Sequence, residues 1–421
     1  MNLLVKGITI ADPNSEFNQK TCDLRVEQGK ITAISTQLTP QKGETVFEGK
    51  GAVLSPGFFD LNCMIGDPGL ETKEDIQTGT AAAKAGGFTG LAVLPNTKPV
   101  VQSKGEVEYI LNRAKNNLVD VFPIGAISHD LEGKEMAELF DMKNAGAVAF
   151  SDGSKAISDD GFMSRALQYG LGFGALLIVY PENKSIAGKA QVNESKNNVL
   201  LGMKGVPALA EEMQISRDIF LATYHNAPIH ISNISTTGSV ALIKKAKKDG
   251  AKITCDVAAH QLVFTEELLN DFDSNYKVKP PLRSKTDNKA LIAGLKDGTI
   301  DAISSQHRPH EIEFKDVEFE IAAYGIIALQ TVLPLLLQVG LDSTLIVEKL
   351  AINPRKLLNL PIPVIEEGAE ANFTVYNPAQ EWLYNASTNL SKSSNSPLLG
   401  KTLKGKVQLV YNNKQYQTYE Q

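Results

Sequence analysis

Between residues 53 and 304 the chain alternates apolar runs of strand length with segments whose apolar positions recur at helical spacing. The runs are Val53–Leu61, Phe88–Leu94, Val119–Ile127, Gly146–Phe150, Ala175–Tyr180, Pro228–Ile234, Lys252–Val257 and Thr299–Ser304. Most are followed by a helical pattern: Lys104–Lys115 after the second run, and Thr237–Lys248, closed by Gly250, after the sixth. A helix over Pro207–His225 has proline near its first position and places Leu209, Met213, Phe220 and Tyr224 on one face. A helix near Glu71–Ala85 begins with the capping pattern Thr72-x-x-Asp75 and stops at Gly86-Gly87. Strands this apolar have no wet face, and eight strand–helix units predict an α/β fold, a (β/α)8 TIM barrel. A doubly wound sheet is the alternative. No Gly-x-Gly-x-x-Gly follows an early strand, so a nucleotide-binding reading has no support.

The two ends of the chain read as short strands joined by tight turns. At the front these are Leu3–Ile10, Cys22–Glu27 and Lys30–Ser35; at the back, Ala371–Tyr376 before Asn377-Pro378 and Lys406–Tyr411 before Asn412-Asn413. Neither end alone has enough strands for a stable sheet. They are therefore expected to pair, residues 1–53 with 361–421, as a small β-sandwich domain. Residues 54–360 then form the barrel, inserted between its halves.

The 421 residues are 43% hydrophobic and 21% charged, which excludes disorder, collagen and coiled coil. Forty-two basic residues against 48 acidic ones give a net charge of −6 without a Lys/Arg run, so nucleic acid is not an expected partner. Cys22, Cys63 and Cys255 are an odd number and far apart; they read as free thiols in a reducing compartment. The first residues lack a signal-peptide pattern, and Gln330, Pro334 and Gln338 interrupt the longest apolar stretch. A cytoplasmic protein without a membrane span is expected.

In such a barrel the chemistry lies where strands end: Asn62-Cys63-Met64, Pro95-Asn96-Thr97, Ser128-His129, Ser151-Asp152-Gly153, Tyr180, Asn233, His260 and Gln306-His307. Alternation puts Asn62 and Met64 on one face and Cys63 on the other, as a buried thiol rather than a nucleophile. Of Asn62 and Met64, only Met64 could bind even a soft metal, and neither suits a hard catalytic zinc. The same parity sets His230 and Asn233 on opposite sides, with His230 as a satisfied core histidine. His129 and His225 read as structural or solvated.

The motifs Pro56-Gly57-Phe58-Phe59-Asp60, Asp67-Pro68-Gly69, Ala85-Gly86-Gly87-Phe88-Thr89, Pro95-Asn96-Thr97-Lys98-Pro99, Pro280-Pro281-Leu282-Arg283-Ser284 and Asp297-Gly298-Thr299-Ile300-Asp301-Ala302-Ile303 are collinear over about residues 1 to 377. Together they resemble dihydroorotase, an amidohydrolase-superfamily enzyme of pyrimidine synthesis. The resemblance implies a (β/α)8 barrel with a β-sandwich from both termini, and a zinc-dependent hydrolase that opens or closes a cyclic amide. It also implies which positions should carry the chemistry, and this chain departs at most of them. The family's His-x-His pair falls on Asn62 and Met64, and its substrate-carboxylate arginine on Gly66. Its metal histidines after strands five and six fall on Tyr180 and Asn233. The catalytic aspartate in the family's Asp-His-Ala-Pro-His is Gln306 in Gln306-His307-Arg308-Pro309-His310, and a substrate asparagine is Lys279. Only Asp152 can match the bridging carboxylate.

Asn96 and His310 fall on substrate-contacting positions of the family. With His260 and His307 they are the candidate contacts of a small cyclic amide or carboxylate. Asp152, His260 and His307 are the remaining candidates for a rebuilt mononuclear site, although no pair of histidines at ligand spacing survives. Arg283 is expected to anchor its loop by ion pairing. The expected function is a non-catalytic dihydroorotase homologue without zinc. As in some bacteria, the resemblance implies a structural partner of aspartate transcarbamoylase, and a homo-oligomer is expected. An active cyclic-amide hydrolase with an atypical or absent metal centre and a ligand-sensing module are the alternatives.

Overall fold

The computed structural model describes residues 2–419. Its barrel is built from β1 (Phe58–Cys63), β2 (Phe88–Val93), β3 (Asp120–Gly125), β4 (Ala149–Ser151), β5 (Leu177–Val179), β6 (Ile229–Ile231), β7 (Ile253–Ala258) and β8 (Ala302–Ser304), hydrogen-bonded parallel in chain order. Each falls inside or against one of the eight apolar runs. β1 and β8 meet through Asp60, whose carboxylate accepts from the Ser305 amide at 2.7 Å and from its hydroxyl at 2.5 Å. Just beyond, the Met64 amide donates to the His307 carbonyl at 3.0 Å. The barrel is thus closed by one carboxylate and a short bridge instead of a full ladder. Phe59, Leu61, Ala92, Leu94, Ile124, Ala149, Ile178 and Ala302 form a buried apolar cluster contributed by six of the strands.

The outer layer is α1 (Ile76–Ala85), α2 (Lys104–Arg113), α3 (Leu139–Ala145), α4 (Asp160–Leu171), α5 (Ala208–His225), α6 (Thr237–Lys248), α7 (Lys285–Lys296) and α8 (Val332–Gln338). The cap of α1 differs from expectation. Asp75, not Thr72, accepts from the Thr78 amide, and Thr78 closes the box, while the Thr72 hydroxyl reaches across to Glu311 at 2.6 Å.

The first apolar run, Val53–Leu61, is two strands in two sheets. Val53–Pro56 pairs antiparallel with Phe373–Tyr376, and the chain crosses into β1 at Gly57. A Cβ at Gly57 would come within 2.2 Å of Thr89 Oγ1, so only glycine passes. The run is apolar throughout because both sheets bury it, which hides the switch from periodicity.

The terminal β domain joins both ends in one hydrogen-bonded path: 415–418, 401–412, 373–384, 53–56, 2–10, 21–27 and 30–35, with 45–48 also on 2–10. It has its own core, including Leu3, Val5, Ile8, Leu24, Phe47, Leu54, Phe373 and Leu409.

α5 corrects the amphipathic reading. Its inward face is Ala210, Glu211, Gln214, Ile215, Asp218 and Ala222, whereas Leu209, Met213, Phe220 and Tyr224 look outward. The helix is held inward by polar groups. Glu211 accepts from the amides of Ser235 at 2.7 Å and Thr236 at 3.2 Å, and from the Ser239 hydroxyl at 2.7 Å. Among the described residues no helix is long and apolar enough to cross a membrane.

Candidate functional site

The C-terminal ends of β1, β6, β7 and β8 are tied by one buried network centred on Asp256. Its Oδ2 accepts from the Ser232 hydroxyl at 2.9 Å and faces His230 Nε2 at 2.9 Å. Its Oδ1 accepts from the Asn233 amide at 3.0 Å and the Ser304 hydroxyl at 2.9 Å. Asn62 Nδ2 donates to Ser232 Oγ at 2.8 Å, and Arg308 Nη2 donates to Asn62 Oδ1 at 2.5 Å. Asn233 joins through Ser232 at 3.1 Å and Ser304 at 3.2 Å.

His230 is satisfied at both ring nitrogens, by Asp256 and by Thr254 Oγ1 at 2.9 Å. It does not face away from Asn233, as parity suggested, since both meet Asp256. Asn233 has φ +57°, which takes it off the strand alternation.

Arg308 is the residue that sequence reasoning passed over. The family pattern Asp-His-Ala-Pro-His has alanine there, and an arginine in its place was the visible signal. Burial pushes the Arg308 guanidinium down to about 10, with Asp60, Tyr180 and Asp256 among the groups that act against that shift. It therefore remains a cation at neutral pH, bonded to Asn62 and within the field of Asp60, Tyr180 and Asp256.

The residues present do not fit a divalent metal. Asn62 offers its oxygen to Arg308, and Asn233 is engaged by Ser232, Ser304 and Asp256. Both Asp152 oxygens are occupied: Oδ1 by the Ile127 and Ser128 amides at 3.0 Å, Oδ2 by the Ser128 hydroxyl at 2.5 Å. Burial raises the Asp152 pKa. Burial also pushes the Tyr180 phenol and the Cys63 thiol well above their ordinary values, so neither is an available anion. Among the described residues no three His, Cys, Asp or Glu side chains group as a metal site. A guanidinium in their midst would repel a second cation.

A cavity of about 270 Å³ opens at this mouth, lined by Met64, Asn96, Lys279, Gln306, Arg308, His310 and Tyr324 among others. Gly153 makes room for Asn96: its φ is +62°, and a Cβ there would stand 1.9 Å from Asn96 Oδ1. That oxygen and His310 Nδ1 are buried without partners, while His310 Nε2 donates to the Tyr324 carbonyl at 3.0 Å. Gln306 donates to the Lys279 carbonyl at 2.9 Å, and Lys279 pairs with Glu182 at 2.7 Å. The position of the family's carboxylate-binding arginine is closed, because a Cβ on Gly66 would meet the Leu70 carbonyl at 2.2 Å.

Two candidate contacts are not on this cavity. His307 turns away, its Nδ1 accepting from the Ala328 amide at 3.0 Å and its Nε2 facing Glu74 at 3.3 Å. It anchors the loop after β8. His260 is fully buried with neither ring nitrogen partnered. With Asp152 committed to the Ile127–Ser128 turn, the three do not form a mononuclear site.

Arg283 does anchor its loop: it donates to Ser235 Oγ at 3.0 Å, Asn193 Oδ1 at 2.8 Å and the Val206 carbonyl at 3.0 Å, and faces Glu211 at 3.6 Å. A wider cavity of about 930 Å³ lies at the opposite, N-terminal rim of the barrel against the terminal sheet, away from the strand ends where barrel chemistry sits.

Burial lowers His260 to about 3, with Arg308 adding to the shift, and lowers His310 to about 4. Below pH 6.5 the unfolded chain protonates these rings and the folded chain does not, so their contribution is full above 6.5 and is lost as pH falls toward 3 to 4. The stability difference between the parent chain and His260→Gln should therefore shrink by up to about 1.4 kcal/mol per pH unit from pH 6.5 to 4. Urea titrations at each pH measure it; a pH-independent difference would mean that His260 is charged or exposed in the folded state.

A family model described as Dihydro-orotase-like matches residues 51–239. A protein named dihydroorotase from Geotalea daltonii is 42% identical over 410 residues, covering 96% of each chain. Those from Acetivibrio thermocellus and Geobacter sulfurreducens, with the same name, are each 42% identical over 411 and 410 residues, again covering 96% of both chains. Among solved structures, L-hydantoinase from Arthrobacter aurescens superposes with a TM-score of 0.87 at 23% identity over 100% of this chain and 97% of its own, a likeness of fold. With similarity at this level along nearly its whole length, the chain belongs to the dihydroorotase family.

Proposed function

We propose that this chain is a dihydroorotase homologue that holds no zinc and does not catalyse the ring opening. The observation that carries the reading is the Arg308 guanidinium bonded to Asn62, a fixed cation among side chains that cannot ligate a metal. Gln306, at the catalytic position, cannot ionise and so cannot move a proton as an aspartate would. What is left is the cavity, where Asn96, Gln306, Arg308 and His310 offer donors and acceptors to a small carboxylate or cyclic amide. The scaffold that remains supports a structural or regulatory role, with aspartate transcarbamoylase as the proposed partner.

Elemental analysis after dialysis against micromolar zinc tests the metal, with less than about 0.1 equivalent expected from a site of this donor set. One or two tightly held equivalents would sink the proposal. Mixing with aspartate transcarbamoylase at micromolar concentration tests the partner, and independent sedimentation would rule it out. A second reading, an active cyclic-amide hydrolase with an atypical or absent metal centre, is favoured by the name and the 41–42% identity of the relatives over nearly the whole chain. Activity measurements separate the two.

A further inference from the structure

We propose that the cavity of about 930 Å³ between the barrel floor and the terminal sheet is a second ligand site, built for a small organic monocarboxylate bearing N–H or O–H donors. It lies at the end of the barrel opposite the mouth, so it stands whether or not the mouth is catalytic.

Arg355 is the group that calls for a ligand. It follows Pro354 in the short helix Asn353–Leu357, and it is 4% exposed with its side chain on the cavity wall. Its guanidinium lies over the Phe59 ring, 5.2 Å from the centroid. Nη1 donates to the Gly57 and Ala351 carbonyls at 2.6 and 2.8 Å, and Nη2 to the Thr89 hydroxyl at 2.9 Å. Those bonds leave part of the five-donor guanidinium fork unused. Among the described residues no carboxylate pairs with it. Asp120, whose charge acts on Arg355, instead accepts from Asn413 Nδ2 at 2.8 Å and Asn412 Nδ2 at 3.0 Å.

A buried charge without a counter-ion is costly. Burial lowers Arg355 to about 9 against the field of Asp120, which still leaves it a cation at neutral pH. Anchoring its helix to Gly57 and Thr89 needs donors but no charge. The charge is what an anion in the cavity would satisfy.

The rest of the lining sets the ligand's class. Asn412, Asn413 and Gln415 donate inward, to the carbonyls of Leu118, Asn117 and Asn116. Their side-chain oxygens have no partner among the described residues and remain as acceptors on the cavity wall. The charged lining is two cations, Arg355 and Lys414, against three carboxylates, Asp120, Glu366 and Glu370. That balance disfavours a polyphosphate and suits a single negative charge. A carboxylate matches the planar guanidinium, while donors elsewhere on the ligand meet the three amide oxygens. The volume is in the range of small-molecule sites, which favour junctions between domains.

Hydrogen–deuterium exchange of the full chain with 4-hydroxybenzoate or L-glutamine tests the proposal. At least one of these carboxylates should saturably protect residues 360–372 and 412–415, which wall the cavity, slowing exchange about tenfold at ten times Kd. Choline, which has no carboxylate, should not. Arg355→Met should abolish the protection. So should Val364→Trp, which fills the cavity from the linker side and decides the matter if Arg355→Met fails to fold. Arg308→Met, at the opposite end of the barrel, should leave it intact. No protection by either probe up to about 50 mM, well above a millimolar Kd, overturns the proposal. Protection that survives Arg355→Met or Val364→Trp also overturns it, and so does protection lost in Arg308→Met, which would assign the binding to the mouth.

Discussion

Supplied with excess zinc, the purified chain should turn over dihydroorotate at least about four orders of magnitude more slowly than a zinc-loaded dihydroorotase assayed beside it. The magnitude follows from what a metal does to water. Lowering its pKa from 15.7 to about 7 is worth roughly 12 kcal/mol at 1.36 kcal/mol per unit, and weaker basicity of the resulting hydroxide returns part of that. Half of the total still leaves four decades. No residue of this mouth supplies an equivalent. Gln306 does not titrate, Asp152 is spent on the Ile127–Ser128 turn, and Arg308 holds Asn62. Release of carbamoyl aspartate, followed by chromatography with and without chelator, is the measurement. Chelator-sensitive turnover within tenfold of the reference would restore the hydrolase reading.

Glu211→Ala should destabilise the chain by about 3–5 kcal/mol, the cost of leaving a buried charge without its partner. Glu211 and Arg283 are both buried, and the carboxylate also accepts from two amides and two hydroxyls at the loop after β6. Removing it strands the Arg283 guanidinium and unpairs the Ser235 and Thr236 amides together. Arg283 in turn holds Asn193 and the Val206 carbonyl, so the 193–206 segment should become open to proteolysis. The double variant Glu211→Ala with Arg283→Met should recover part of the loss, because the stranded cation is gone. Denaturation midpoints of the three variants decide it, and a single-variant loss under about 1 kcal/mol would show that water reaches the pair.

The barrel was legible because parallel strands buried on both faces leave unbroken apolar runs, as at Phe88–Leu94, and because glycines such as Gly86 end helices where the chain must turn. The departures read at Asn62, Met64, Tyr180, Asn233 and Gln306 rest on the resemblance to the family pattern. The hydrogen-bond network around them was harder to see. Asp256 lies inside an apolar run and acquires its role only from Ser232, Ser304 and His230, up to 48 residues away. The left-handed backbone of Asn233 defeats strand parity, and Glu211 turns α5 so that its polar side faces in. In each case a contact distant in the sequence outweighs local periodicity.

The terminal sheet also sets an order of events during synthesis. Strand Val53–Pro56 leaves the ribosome more than 300 residues before its partner Phe373–Tyr376. At about 5–20 residues per second, it waits roughly 15–60 s with one edge open. The whole barrel is made in that interval. The small domain is thus the last part to close, and truncation near residue 370 should leave a formed barrel carrying a half-sheet prone to edge-to-edge association.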